Sequence, residues 1–143
     1  MQGELIFSEV SGDPDQRVRV QTQIYANGFT VIAVSGVGSS VGMRASAQSF
    51  DRGFAALGVG DVWVRLELTD FEGAPLPAQL SLVKWMIQNQ RRLRFIGILG
   101  GDTAGLRVAR AIQGLLPFGN RVVFFEEPKA LEERLRQEMD ASP

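Results

Sequence analysis

Val62-Trp63-Val64-Arg65-Leu66-Glu67-Leu68-Thr69-Asp70-Phe71-Glu72-Gly73 lies near the middle of a 143-residue chain. Val62, Val64, Leu66 and Leu68 alternate with Trp63, Arg65 and Glu67, the two-residue period of a half-buried strand. A strand is therefore expected over residues 62–68. Asp70, Glu72 and Gly73 then carry turn and helix-start chemistry, so residues 70–76 read as a loop leading into a helix.

Working outward, residues 75–90 read as a helix, with Pro75 tolerated where N–H groups lack partners anyway. Leu76, Leu80, Val83 and Ile87 make one apolar stripe, enough to face a core. Leu82, Trp85 and Met86 are then surplus apolar surface, the kind that serves a partner, a lid or an oligomer contact. Residues 95–99 form a continuous apolar run, expected to be a strand covered on both faces. Asp102 can cap a helix with Ala104, Val108, Ala111, Ile112 and Leu115 inward, stopped by Pro117. A strand follows over residues 122–125. Pro128 opens a last helix with Leu131, Leu135 and Met139 inward and Glu132 paired to Arg136.

On the other side, Met43, Ala47, Phe50, Phe54 and Leu57 recur at steps of four and three, one helical stripe closed by Gly58 and Gly60. Before it, Val18, Val20, Thr22 and Ile24 alternate with Arg19, Gln21, Gln23 and Tyr25. Asn27-Gly28 is a two-residue hairpin signal, because both central positions need positive φ. The return strand spans residues 29–34, and an earlier short strand spans residues 4–10. Strands alternating with helices after residue 34 imply parallel pairing there. The expected fold is α/β: one domain over residues 1–143, with a mixed sheet whose N-terminal hairpin is antiparallel and helices mainly on one face.

Composition narrows the chemistry. The chain holds no His and no Cys. Thiolate nucleophiles, disulfides and Cys-ligated metals are excluded, and the commonest general base is missing. No catalytic residue, metal site or cofactor is expected. No apolar run reaches the length of a membrane span, and no secretory signal opens the sequence, so the expected setting is cytoplasmic. The net charge of −1 hides a basic middle segment: residues 84–121 hold seven bases against Asp102 alone.

Four loops or clusters invite a functional reading. Gly36-Val37-Gly38-Ser39-Ser40-Val41-Gly42 lies between a strand and a helix, where backbone could cradle phosphates. Its GxGxxxG spacing departs from the dinucleotide fingerprint, and a strand-to-helix connection is the better reading. Glu67, Asp70 and Glu72 could hold a cation but also suit a turn. Gly100-Gly101-Asp102-Thr103 could bind an anion with Arg107, although an Asp at the cap competes for the same donors. Lys84, Trp85, Arg91, Arg92 and Arg94 interleave base and aromatic, yet no nucleic-acid partner is expected.

Leu66-Glu67-Leu68-Thr69-Asp70-Phe71-Glu72-Gly73, the strand ending in Gly100, and Val122-Val123-Phe124-Phe125-Glu126-Glu127 with its following helix resemble the SpoIIAA-like branch of the STAS domains. The resemblance covers roughly residues 17–139. It implies a four- to six-stranded mixed sheet with helices mainly on one side. It also implies a non-enzymatic regulatory or scaffold role through a protein partner, or a small apolar or anionic ligand. The antagonists of this branch switch on a phosphorylated Ser where this chain reads Glu72-Gly73-Ala74-Pro75-Leu76, so no phosphoserine switch is expected. The partner or ligand surface is expected at Asp70, Phe71, Glu72, Gly73, Leu76, Leu82, Trp85 and Met86, with Lys84 and Arg91 as a polar rim. A homodimer is compatible with such a surface. The alternative function is a small-ligand or lipid carrier that uses helix 75–90 as a lid.

Overall fold

The computed structural model describes residues 3–13, 15, 17–100 and 104–141. Six strands form one sheet in simple sequential order: β1 (Leu5–Gly12), β2 (Val18–Tyr25), β3 (Phe29–Val37), β4 (Val62–Gly73), β5 (Leu93–Leu99) and β6 (Val122–Phe125). The first two pairings are antiparallel and the last three parallel. Four helices connect or close this order: α1 (Ser40–Leu57), α2 (Leu76–Gln88), α3 (Ala104–Leu115) and α4 (Pro128–Ala141). The mixed sheet expected from the sequence is present.

Helices α1, α2 and α3 each join parallel neighbours, so right-handed crossovers put them on one face. Their side chains share a core with the sheet: Phe54, Val83 and Ala109 pack with Ile24, Val62, Val64, Leu68, Ile96 and Ile98. Helix α4 covers the other face, where Leu131 and Leu135 are fully buried against Phe29, Trp63 and Phe95. Burying each of those two leucines contributes about 1.5–3 kcal/mol. Strand β5 has a helix layer on both sides and is accordingly apolar from Phe95 onward. At Gly97 a Cβ would lie 2.1 Å from Leu131 Cδ1. The missing side chain is what lets α4 settle onto the sheet.

The hairpin between β2 and β3 forms, with its turn set one residue earlier than expected. The Gly28 N–H donates to Tyr25 C=O at 2.9 Å, so Ala26 and Asn27 occupy the turn centre and Gly28, at φ 91°, follows it. That is a three-residue loop, in which only the last position needs the left-handed conformation. Asn27 Oδ1 accepts the Phe29 N–H at 3.1 Å and holds the return strand.

Four further sequence expectations are corrected. Strand β4 runs on to Gly73 instead of turning at Asp70, because Ser35, Gly36 and Val37 of a longer β3 pair with Asp70, Phe71 and Gly73. On α3 the inward face is Gly105, Val108, Ala109 and Ile112, whereas Ala104, Ala111 and Leu115 are exposed. On α4, Glu132 pairs with Arg65 of β4 at 2.8 Å, and the i,i+4 pair is Arg134–Glu138 at 2.9 Å. The fourth correction concerns α2, whose expected core stripe of Leu76, Leu80, Val83 and Ile87 is buried only at Val83.

Candidate functional site: an apolar chamber beneath helix α2

Leu76, Leu80 and Ile87 of α2 are 60%, 49% and 36% exposed. The inward residues are Val83, the one member of the expected stripe that is buried, and Ala78, also buried, with Leu82, Trp85 and Met86 partly buried. A helix apolar around most of its circumference offers two alternative stripes, and periodicity alone does not choose between them. The choice comes from the neighbours: the backbone of α2 approaches α1 and α3 closely, and no strand to the same extent. The helix thus roofs the sheet from a distance.

The space left underneath is a cavity of about 160 Å³. Its floor is Val64, Leu66, Leu68, Ile96 and Ile98 of the sheet. Its walls are Met43, Phe50 and Phe54 of α1 and Val108, Ala109 and Ile112 of α3. Its roof is Ala78, Leu82, Trp85 and Met86 of α2. Trp85 joins the wall to the roof: its ring lies 5.1 Å from Phe50 and 5.5 Å from Phe54, tilted to both. Its indole N–H donates to Asp51 Oδ1 at 2.9 Å.

No charged side chain lines the chamber among the described residues, and the polar side chains at its edge have structural partners. Ser39 caps α1 by accepting the Gly42 N–H at 2.9 Å and donates to Asp13 at 3.0 Å. Ser46 accepts from Ser11 at 3.3 Å. Gln79 donates to Ala74 C=O at 2.7 Å, and Gln113 to Val122 C=O at 2.8 Å. The interior is therefore hydrocarbon and ring, suited to holding an apolar molecule and carrying no group poised for acid–base or nucleophilic chemistry.

Of the residues expected at a site, Phe71, Leu82, Trp85 and Met86 are brought together on the chamber wall. Asp70 and Glu72 are exposed on β4, and Leu76, Lys84 and Arg91 are exposed around α2. Gly73 is buried, and its C=O accepts the Gly38 N–H at 2.7 Å. Sequence reasoning did not include Met43, Phe50, Phe54 or Ala109. For Met43, Phe50 and Phe54 the signal was the helical stripe of α1, whose partner on α2 could be chosen only once the two helices were placed; Ala109 lies on α3, outside the stripe expected there.

The other motifs are absorbed by the fold. In the Gly36–Gly42 loop, the Val37, Gly38 and Gly42 N–H groups donate to Arg17 C=O, Gly73 C=O and Ser39 Oγ, which engages three of the donors a phosphate could use. Gly100 donates to Phe125 C=O, while Gly101, Asp102 and Thr103 lie outside the described residues. Much of the basic segment is turned to internal use. Arg92 donates to Gly60, Phe54 and Gly58 C=O at 2.8, 3.4 and 2.7 Å and stacks 4.8 Å over the Phe54 ring. Arg121 donates to Gln90 and Leu93 C=O at 2.7 and 3.1 Å. Ser81 bonds back to Pro77 C=O at 3.0 Å.

A sheet of this order, with three crossover helices on one face, is the SpoIIAA-like fold. Among solved structures, the chain is similar to an uncharacterised protein of the DUF3478 family from Shewanella loihica PV-4, described as having that fold. The two share 13% identity with a TM-score of 0.61, over 94% of this chain and 98% of the other. No family model and no curated protein matches the sequence. No helix among the described residues is long and apolar enough to cross a membrane.

Proposed function

We propose that this chain is a non-enzymatic, STAS-like regulatory module that acts by binding, with a small apolar molecule held beneath α2. One observation carries the reading: the roughly 160 Å³ chamber between the sheet and the helices, lined by apolar side chains. An engineered apolar cavity of about 150 Å³ stays dry and takes up benzene or xenon, so a space of this size and lining favours occupancy over hydration. Helix α2 serves as the lid of that site, and residues 1–143 act as one domain. Native mass spectrometry after gentle purification tests this reading. A non-covalent apolar adduct, removed by solvent extraction, is the expected result. A bare chain mass, together with methyl resonances of Leu82, Ile96 and Ile98 unmoved under xenon pressure, would overturn it.

A second reading has its own observation. Leu76, Leu80, Lys84, Ile87 and Arg91 recur at steps of four and three along the outer side of α2 and its C-terminal extension, exposed except that Ile87 stands at the boundary. An apolar stripe with two cations suits a protein partner that offers hydrophobic and acidic groups. The test is a pull-down with Leu80→Glu, which leaves the chamber lining intact. Loss of a partner captured by the unaltered chain supports the reading, and full retention rules this surface out.

A further inference from the structure

Occupancy of the chamber leaves open which apolar molecules it would prefer, and the rings around it bear on that choice. We infer that the chamber selects an uncharged aromatic ring of about six to ten heavy atoms over a saturated ring of equal size or a long acyl chain. The inference rests on the proposed apolar-ligand reading and specifies its ligand class.

Three observations support it. The volume of about 160 Å³ is close to that of the cavity that seats benzene, so a long acyl chain would have to leave part of its length outside it. The lining holds a contiguous ring cluster: Phe50 and Phe54 sit 5.1 and 5.5 Å from Trp85 at interplanar angles of 56° and 43°. Tilted rings present faces and edges at different angles, and a further ring gains quadrupole contacts beyond its buried area. Met43 and Met86 add polarizable thioethers to the same lining, which favour aromatic partners and adapt to their shape. The absence of any charged side chain among the described lining residues means that a carboxylate or phosphate head buried there would be unpaired, at large cost.

Isothermal titration calorimetry on the full chain with toluene, methylcyclohexane and dodecanoate tests the inference. The expected result is toluene binding about threefold or more tighter than methylcyclohexane, with no heat from dodecanoate. In Phe50→Leu, which keeps apolar bulk at that position, the preference for toluene is expected to shrink while methylcyclohexane still binds. Equal or tighter binding of methylcyclohexane or dodecanoate by the unaltered chain overturns the aromatic selectivity and leaves the apolar-ligand reading standing. Binding of none of the three overturns both. The unaltered chain decides the question even if the variant fails to fold.

Discussion

Trp85 on α2 donates its indole N–H to Asp51 on α1 at 2.9 Å. The same indole closes the ring cluster with Phe50 and Phe54, each within 5.5 Å. One side chain therefore ties the roof of the chamber to its wall by a directional bond and by ring packing. The two contributions separate by mutation. Asp51→Ala removes only the bond and is expected to cost about 0.5–1.5 kcal/mol. Trp85→Ala removes both and opens a void, costing about 3 kcal/mol or more. Urea unfolding of the two variants measures the difference.

Arg92 closes the C-terminal end of α1. Its guanidinium donates to three carbonyls at or just beyond that end while lying over Phe54. A cation there complements the negative end of the helix, and the planar fork reaches several acceptors at once. Arg92→Lys keeps the charge but loses the fork and the stacking. The lysine variant is expected to lose about 1–2 kcal/mol, close to the loss in Arg92→Ala. A lysine variant with unaltered thermal melting would show that charge alone suffices.

Gly97 and Leu131 are coupled across the sheet–α4 interface. Gly97→Ala places a methyl group where Leu131 Cδ1 now sits, and overpacking of this kind costs about 1–3 kcal/mol. The Leu131→Ala change costs about 2–5 kcal/mol alone. Combined, the two are expected to destabilise by clearly less than their sum, because each removes the other's clash or void. Strict additivity in a double-mutant cycle would contradict the close contact.

Glu9 of β1 is paired with Arg52 of α1. The hydrogen bond from Arg52 holds its pKa below the ordinary carboxylate value, against a smaller opposing effect of burial. A depressed carboxylate pKa contributes stability above the unfolded-state value. That stability is lost as pH falls through the folded-state value. Stability should therefore drop on acidification below the ordinary Glu range, and Glu9→Gln should flatten that part of the curve. Because the pair is solvent-exposed, the effect should shrink with added salt. A Glu9→Gln profile parallel to the unaltered chain would remove the pair from the acid response.

Legibility from sequence followed the number of faces an element buries. Strand β6 falls on residues 122–125 as expected, and β5 differs from its expected span only by two residues at its start. Residues 95–99 and 122–125 are continuous apolar runs with one reading, and the two residues missed at the start of β5 include the exposed Arg94. Helix α4 was equally plain, because Leu131 and Leu135 stand out from a charged surround. The end of β4 was not legible: Thr69, Asp70 and Glu72 carry turn chemistry, and only pairing with β3 keeps them extended. Within the candidate site, Leu82, Trp85 and Met86 were singled out as surplus to the core. They face inward, and of the stripe assigned to the core Val83 alone is buried, with Leu76, Leu80 and Ile87 left outside.

The sequence by itself determined the order and type of the elements: an antiparallel start, three parallel pairings and helices between them. Local periodicity, turn residues and the shortness of the connections permit little else. The tertiary structure alone decided which side of α2 faces inward, and so whether a chamber exists. That outcome depends on how far α1 and α3 hold α2 above the strands. Distance between elements is set by packing among residues far apart in the chain, such as Phe50 with Trp85, and no local pattern encodes it.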